Sequence, residues 1–209
     1  MIRLKYLLSA LLLSALMFLP NLAVADNSTD YSNSGGTLAG SNAGLTLTGS
    51  TLIAVTSVSG GGGSINGNLG TVEFATGALT SGSLQMGGTL AAGGWFTITG
   101  NGTNGVGNGT LFTGAFSGPV TWSLTTLANG THNYTLTGVL VGSGSFSGIN
   151  GVTVQLTINT GKGLFSGSTL ISGGDTTITS SVPEPSTLAL LGTGVLALAG
   201  GLRRKVLAR

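Results

Sequence analysis

His132 is the one histidine in a 209-residue chain without cysteine, so few side chains here can move a proton near neutral pH. Between Asp26 and Ser181 the charged residues are Asp26, Asp30, Glu73, Lys162 and Asp175, a net charge of −3. A hydrolase drawn from this set would use His132 or Glu73 as base, with Asp175 or Glu73 near the imidazole, but no G-x-S-x-G elbow supplies a nucleophile. Catalytic zinc needs three His, Cys or carboxylate ligands, and nothing like H-E-x-x-H occurs. Glycoside hydrolysis needs paired carboxylates, here Glu73 with Asp175, or Asp26 with Asp30 at a frayed segment end. Calcium needs a cluster of oxygen ligands, and no D-x-D-x-D run is present. Gly100 to Gly105 loosely matches G-x-G-x-x-G, but no helix pattern follows to aim amide dipoles at a phosphate. The reading is therefore a protein with no catalytic residues, no metal and no cofactor.

Binding is the other chemistry open to these residues. Trp122 shares the inward phase of Val120 and Leu124 and reads as core. Trp95 and Phe96 are adjacent and must point to opposite faces of a strand, which makes Trp95 the candidate sugar contact. The basic pI belongs to the ends of the chain: Arg3, Lys5, Arg203, Arg204, Lys205 and Arg209 lie outside the central segment. That segment has no basic face for nucleic acid.

The elements that must position these residues are strands. Thirty-five of the 39 glycines lie between Asp26 and Ser181, yet apolar residues alternate strictly among them. Val152, Val154, Leu156 and Ile158 define one face of a half-buried strand, with Thr153, Gln155 and Thr157 on the other. Val120–Leu124, Tyr134–Thr137, Leu45–Thr48, Val72–Phe74 and Phe96–Thr99 repeat the pattern, and no stretch has helical periodicity. Asn-Gly pairs at 101, 104, 108, 129 and 150 mark tight turns. The expected fold is all-β, an antiparallel β-sandwich spanning 26–181. A β-solenoid is the rival, suggested by Phe-(Ser/Thr)-Gly at Phe112, Phe146 and Phe165, whose unequal spacings fit strand ends better than rungs. Gly60–Gly63 reads as a loop between strands.

The two ends differ from this middle. Arg3 and Lys5, the apolar run Tyr6–Leu19 and Ala23-Val24-Ala25 before Asp26 make residues 1–25 a secretory signal peptide, cut between Ala25 and Asp26. At the other end, residues 182–209 open on Val182-Pro183-Glu184-Pro185-Ser186-Thr187 and continue into an apolar stretch. Leu188 to Leu202 would span about 22 Å as a helix, a minimal membrane crossing that Ser186 and Thr187 extend, giving a transmembrane helix over about 186–202. Arg203, Arg204 and Lys205 form a basic stop that would stay in the cytoplasm. Two prolines around Glu184 keep that residue in extended, accessible chain.

Pro-Glu-Pro, an apolar helix and a terminal cationic cluster, in that order, resemble the PEP-CTERM sorting signal. The resemblance covers about 28 of 209 residues and leaves the central segment unassigned. It implies recognition by an exosortase, a transpeptidase-like membrane enzyme of Gram-negative bacteria, after export through the inner membrane. It also implies transient anchoring, then release or attachment at the cell surface, in organisms that often make exopolysaccharide. The expected function is that of an exported, non-enzymatic surface or matrix protein; a carbohydrate-binding β-sandwich using the Trp95 region is the alternative, and a hydrolase the third reading.

Overall fold

The protein's structure, a computed structural model, describes residues 27–57 and 63–180. The signal peptide, the Ala25/Asp26 site, most of the glycine run at 60–63 and the whole sorting tail, with its transmembrane helix, lie outside the described residues.

Alternation becomes burial as the pleat demands. Val152, Val154, Leu156 and Ile158 are buried, while Thr153 and Gln155 between them are exposed. The strands are β1 (Asn27–Ser34), β2 (Thr37–Ser41), β3 (Gly44–Ser57), β4 (Ser64–Ala75), β5 (Leu79–Ser83), β6 (Gly87–Leu90) and β7 (Gly93–Asn101). They continue as β8 (Asn108–Phe116), β9 (Val120–Thr126), β10 (His132–Gly142), β11 (Asn150–Asn159), β12 (Ser168–Leu170) and β13 (Gly173–Ser180). One 3-10 turn, Gly144–Phe146, is the sole helical element among the described residues. The expected all-β antiparallel character is found, and every strand pairing is antiparallel. Stacked solenoid rungs would run parallel, so that rival is removed.

The ladder closes on itself. Its order is β11-β13-β1-β3-β4-β7-β8-β10, and β10 pairs back to β11, which joins eight strands into a ring. Closure gives each of the eight strands a neighbour on both sides, although β8 meets β10 only over Gly114–Phe116. Two long strands branch from it. On one side β10 pairs with β9 over His132–Thr137 and with β8 over Leu140–Gly142. β3 similarly takes β2 along its first part and β1 along its second. β9 carries β6 and β5 outward, and β2 carries β12.

Two aromatic groups fill the interior. Phe74 stacks on Phe96 at 5.9 Å between ring centroids, and Phe116 meets Phe74 edge-on at 6.0 Å. Trp122 stacks on Tyr134 at 5.0 Å, and the Phe165 ring stands against Trp122 at 5.7 Å. Burial of each such ring contributes about 2–3 kcal/mol. The polar atoms of this second group pin two loops over it. Trp122 Nε1 donates to the Leu84 carbonyl at 2.9 Å, and the Tyr134 hydroxyl donates to the Gln85 carbonyl at 2.6 Å while accepting from the Phe165 N–H at 3.0 Å. Phe165 is thus a core plug in the β11–β12 connection, whereas Phe112 is buried in the middle of β8 rather than at a strand end, and Phe146 packs half-buried against it from the 3-10 turn.

Candidate functional site

The three residues a hydrolase would need stand apart. His132 begins β10, and its Nδ1 lies 3.0 Å from the hydroxyl of Thr126, its cross-strand partner on β9. Glu73 lies on β4, where Oε1 accepts from the backbone N–H of Gly49 at 3.1 Å and so secures a register shift in β3. Asp175 is exposed on β13, opposite Ser32 on one side and Gln155 on the other. Thr137, in the same row on β10, is five residues along from His132, roughly 16 Å of extended strand. No hydrogen bond joins His132, Glu73 or Asp175 to another of the three among the described residues.

Trp95 lies on β7 opposite Ala75 of β4, with 43% of its surface exposed, whereas Phe96 is fully buried. In the neighbouring outward row Glu73, Thr97 and Thr113 sit on β4, β7 and β8, with the two threonine hydroxyls 3.4 Å apart. The next row is Thr51, Thr71, Thr99 and Thr110 on four successive strands. An exposed indole beside a carboxylate and several hydroxyls offers an apolar face and hydrogen-bonding groups together, as a sugar ring requires. Trp122 is 1% exposed, which matches its inward phase.

Sequence reasoning missed a second outward face. Two adjoining concavities of about 450 and 410 Å³ share Gln155 and Asp175. They run across β3, β1, β13, β11, β10 and β9, and the row Ser32, Asp175, Gln155, Thr137, Thr121 forms their floor in direct cross-strand register. The alternation of β11 shows Gln155 as an outward polar residue. Its place beside Asp175 depends on β13 lying between β11 and β1, which no local pattern encodes.

At the end of the ring where Asn27 pairs with Ser180, Tyr31, Leu111, Phe112, Phe146, Ile149 and Ile178 line a further hollow of about 380 Å³. Burial there pushes the Tyr31 phenol above its usual range, because the charged phenolate loses hydration.

No curated protein and no solved structure matches the chain. The family model that matches is the PEP-CTERM protein-sorting motif, over residues 181–205, a span that takes in Pro183, Glu184 and Pro185 and ends on Arg203, Arg204 and Lys205. The tail read from its prolines, apolar stretch and cations is therefore a PEP-CTERM protein-sorting motif, and this chain is a protein that carries one.

Proposed function

We propose that the chain is an exported, non-enzymatic surface or matrix protein delivered through its C-terminal sorting motif. The match at residues 181–205 carries this reading. In it, signal peptidase cuts between Ala25 and Asp26, and the apolar segment at about 186–202 holds the chain transiently in the inner membrane, with Arg203, Arg204 and Lys205 on the cytoplasmic side. An exosortase then recognises Pro183-Glu184-Pro185, and residues 26–181 reach the cell surface or extracellular space of a Gram-negative bacterium, associated with exopolysaccharide. Replacing all three motif residues by alanine and following the chain's release tests the reading.

The separation of His132, Glu73 and Asp175 supports a non-enzymatic role. The closed ladder suits life outside the cell without disulfides, since every ring strand has a paired neighbour on both sides. We read the ring as flattened, its two walls packing face to face over the aromatic groups like the sheets of a sandwich.

The exposure of Trp95 beside Glu73 and Thr97 favours a second reading, a carbohydrate-binding domain. Glycan binding that disappears in Trp95→Ala supports it, and glycan binding unaffected by that substitution removes Trp95 from it.

A further inference from the structure

We infer that the outward face crossing β3, β1, β13, β11, β10 and β9 is a binding groove for a linear neutral glycan, laid across the strands; this rests on the polysaccharide association proposed above but places the contact away from Trp95. Three observations lead there. The first is continuity. The two concavities share Gln155 and Asp175, and the six strands they cross span about 24 Å at the usual strand spacing, room for an oligosaccharide of several residues.

The second is unused hydrogen-bonding capacity. The side chains of Asp175, Gln155, Thr137, Thr121 and Thr153 have no hydrogen-bond partner among the described residues, and all five are exposed in or beside one row. Some polar side chains elsewhere on the surface are instead paired with one another, Thr97 with Thr113, Asn159 with Asn133 and Asn101 with the Asn68 carbonyl, although the row Thr51, Thr71, Thr99, Thr110 is left open like this one. A carboxylate, an amide and successive hydroxyls supply both donors and acceptors, which is what a run of sugar hydroxyls and ring oxygens needs.

The third is the apolar residues at the groove's two ends. Ile53 is the extra residue where β3 shifts register against β1, and it is 39% exposed in the groove wall. A bulge re-aims a side chain, and here it presents an isoleucine on an outward polar face. Val139, 42% exposed, and Pro119 line the opposite end. Apolar patches flanking a polar floor fit the C–H faces of a sugar chain.

Charge selects among glycans. Asp175 is the one charged residue lining the groove, and Lys162, the lone cation among the described residues, does not line it. Uronate or sulfate groups would meet a carboxylate and no counter-charge, so the ligand is neutral.

The test is calorimetric titration of the full chain, purified in mild non-ionic detergent, with cellohexaose, laminarihexaose and mannohexaose, and with polygalacturonate as the anionic comparison. At least one neutral hexaose should bind, with polygalacturonate about tenfold weaker or worse. Gln155→Ala with Asp175→Ala should weaken binding by about tenfold or more, as expected when hydrogen bonds to a charged and a neutral group are lost. Thr137→Lys, which fills the groove from an exposed position, should do the same, and each variant's melting temperature checks its fold. The inference is overturned if none of the three neutral hexaoses binds, if polygalacturonate binds as well as they do, or if both groove variants keep full affinity. Trp95→Ala runs in parallel: loss of binding there with intact groove variants leaves the carbohydrate reading standing and removes this site.

Discussion

The hydroxyl of Tyr134 accepts a hydrogen bond from the backbone N–H of Phe165 at 3.0 Å, thirty-one residues away in sequence. The same hydroxyl donates to the Gln85 carbonyl, so one phenol ties the β11–β12 connection and the β5–β6 turn to the second aromatic group. Each loop also buries one apolar side chain, Leu84 in the β5–β6 turn and Phe165 in the β11–β12 connection.

Tyr134→Phe should therefore cost more than one ordinary hydrogen bond. The ring and its stacking on Trp122 survive, but the buried Phe165 N–H loses its partner, for a penalty of about 1–3 kcal/mol. Urea unfolding should show a lower midpoint at an unchanged slope. An unchanged midpoint would mean that water replaces the phenol without loss.

Gly70→Ala should also destabilise, for a different reason. Gly70 holds φ +148, and a methyl there would overlap the Thr99 carbonyl oxygen on the neighbouring strand. The backbone conformation and the overlap together should cost about 2 kcal/mol or more. Gly105→Ala makes the control, since Gly105 also has positive φ but faces open space, and thermal melting should rank Gly70→Ala as the more damaging.

Alkaline stability should depend on Tyr31. Its folded pKa is raised by burial, so above the ordinary tyrosine range the unfolded chain loses the proton first and binds fewer protons than the folded one. Stability should fall as pH rises through about 10, the unfolded value, and level off above the folded value. Tyr31→Phe should flatten that fall in urea titrations, and an identical slope in both proteins would remove Tyr31 as its source.

How much of this was legible in the sequence varies strand by strand. β11 and the first parts of β9 and β10 stand out because apolar residues occupy every second position and become core. β1 and β13, with sequences NSTDYSNS and GGDTTITS, have few apolar residues and no such signal. They are strands because β3 and β11 offer them edges, and their inward positions include polar residues satisfied locally, as where Asn33 Nδ2 donates to the Ser50 hydroxyl at 2.7 Å. The closure of the ring and the groove both depend on these two strands, so neither could be read from local pattern. Trp95 and Phe96 were legible because adjacent residues of a strand must diverge. The sorting motif was legible because it is linear: its chemistry lies in consecutive residues and needs no partner strand.

The central claim is delivery through that motif, and the most direct measurement is the fate of the chain with Pro183→Ala, Glu184→Ala and Pro185→Ala together. Mass spectrometry of membrane and released fractions from the native host fixes both termini of each form. The account predicts that the wild-type chain is found outside the inner membrane without its apolar tail, and that the triple mutant stays in the inner membrane with residues 186–209 intact. Release of the triple mutant with the same C-terminus as the wild type would contradict it.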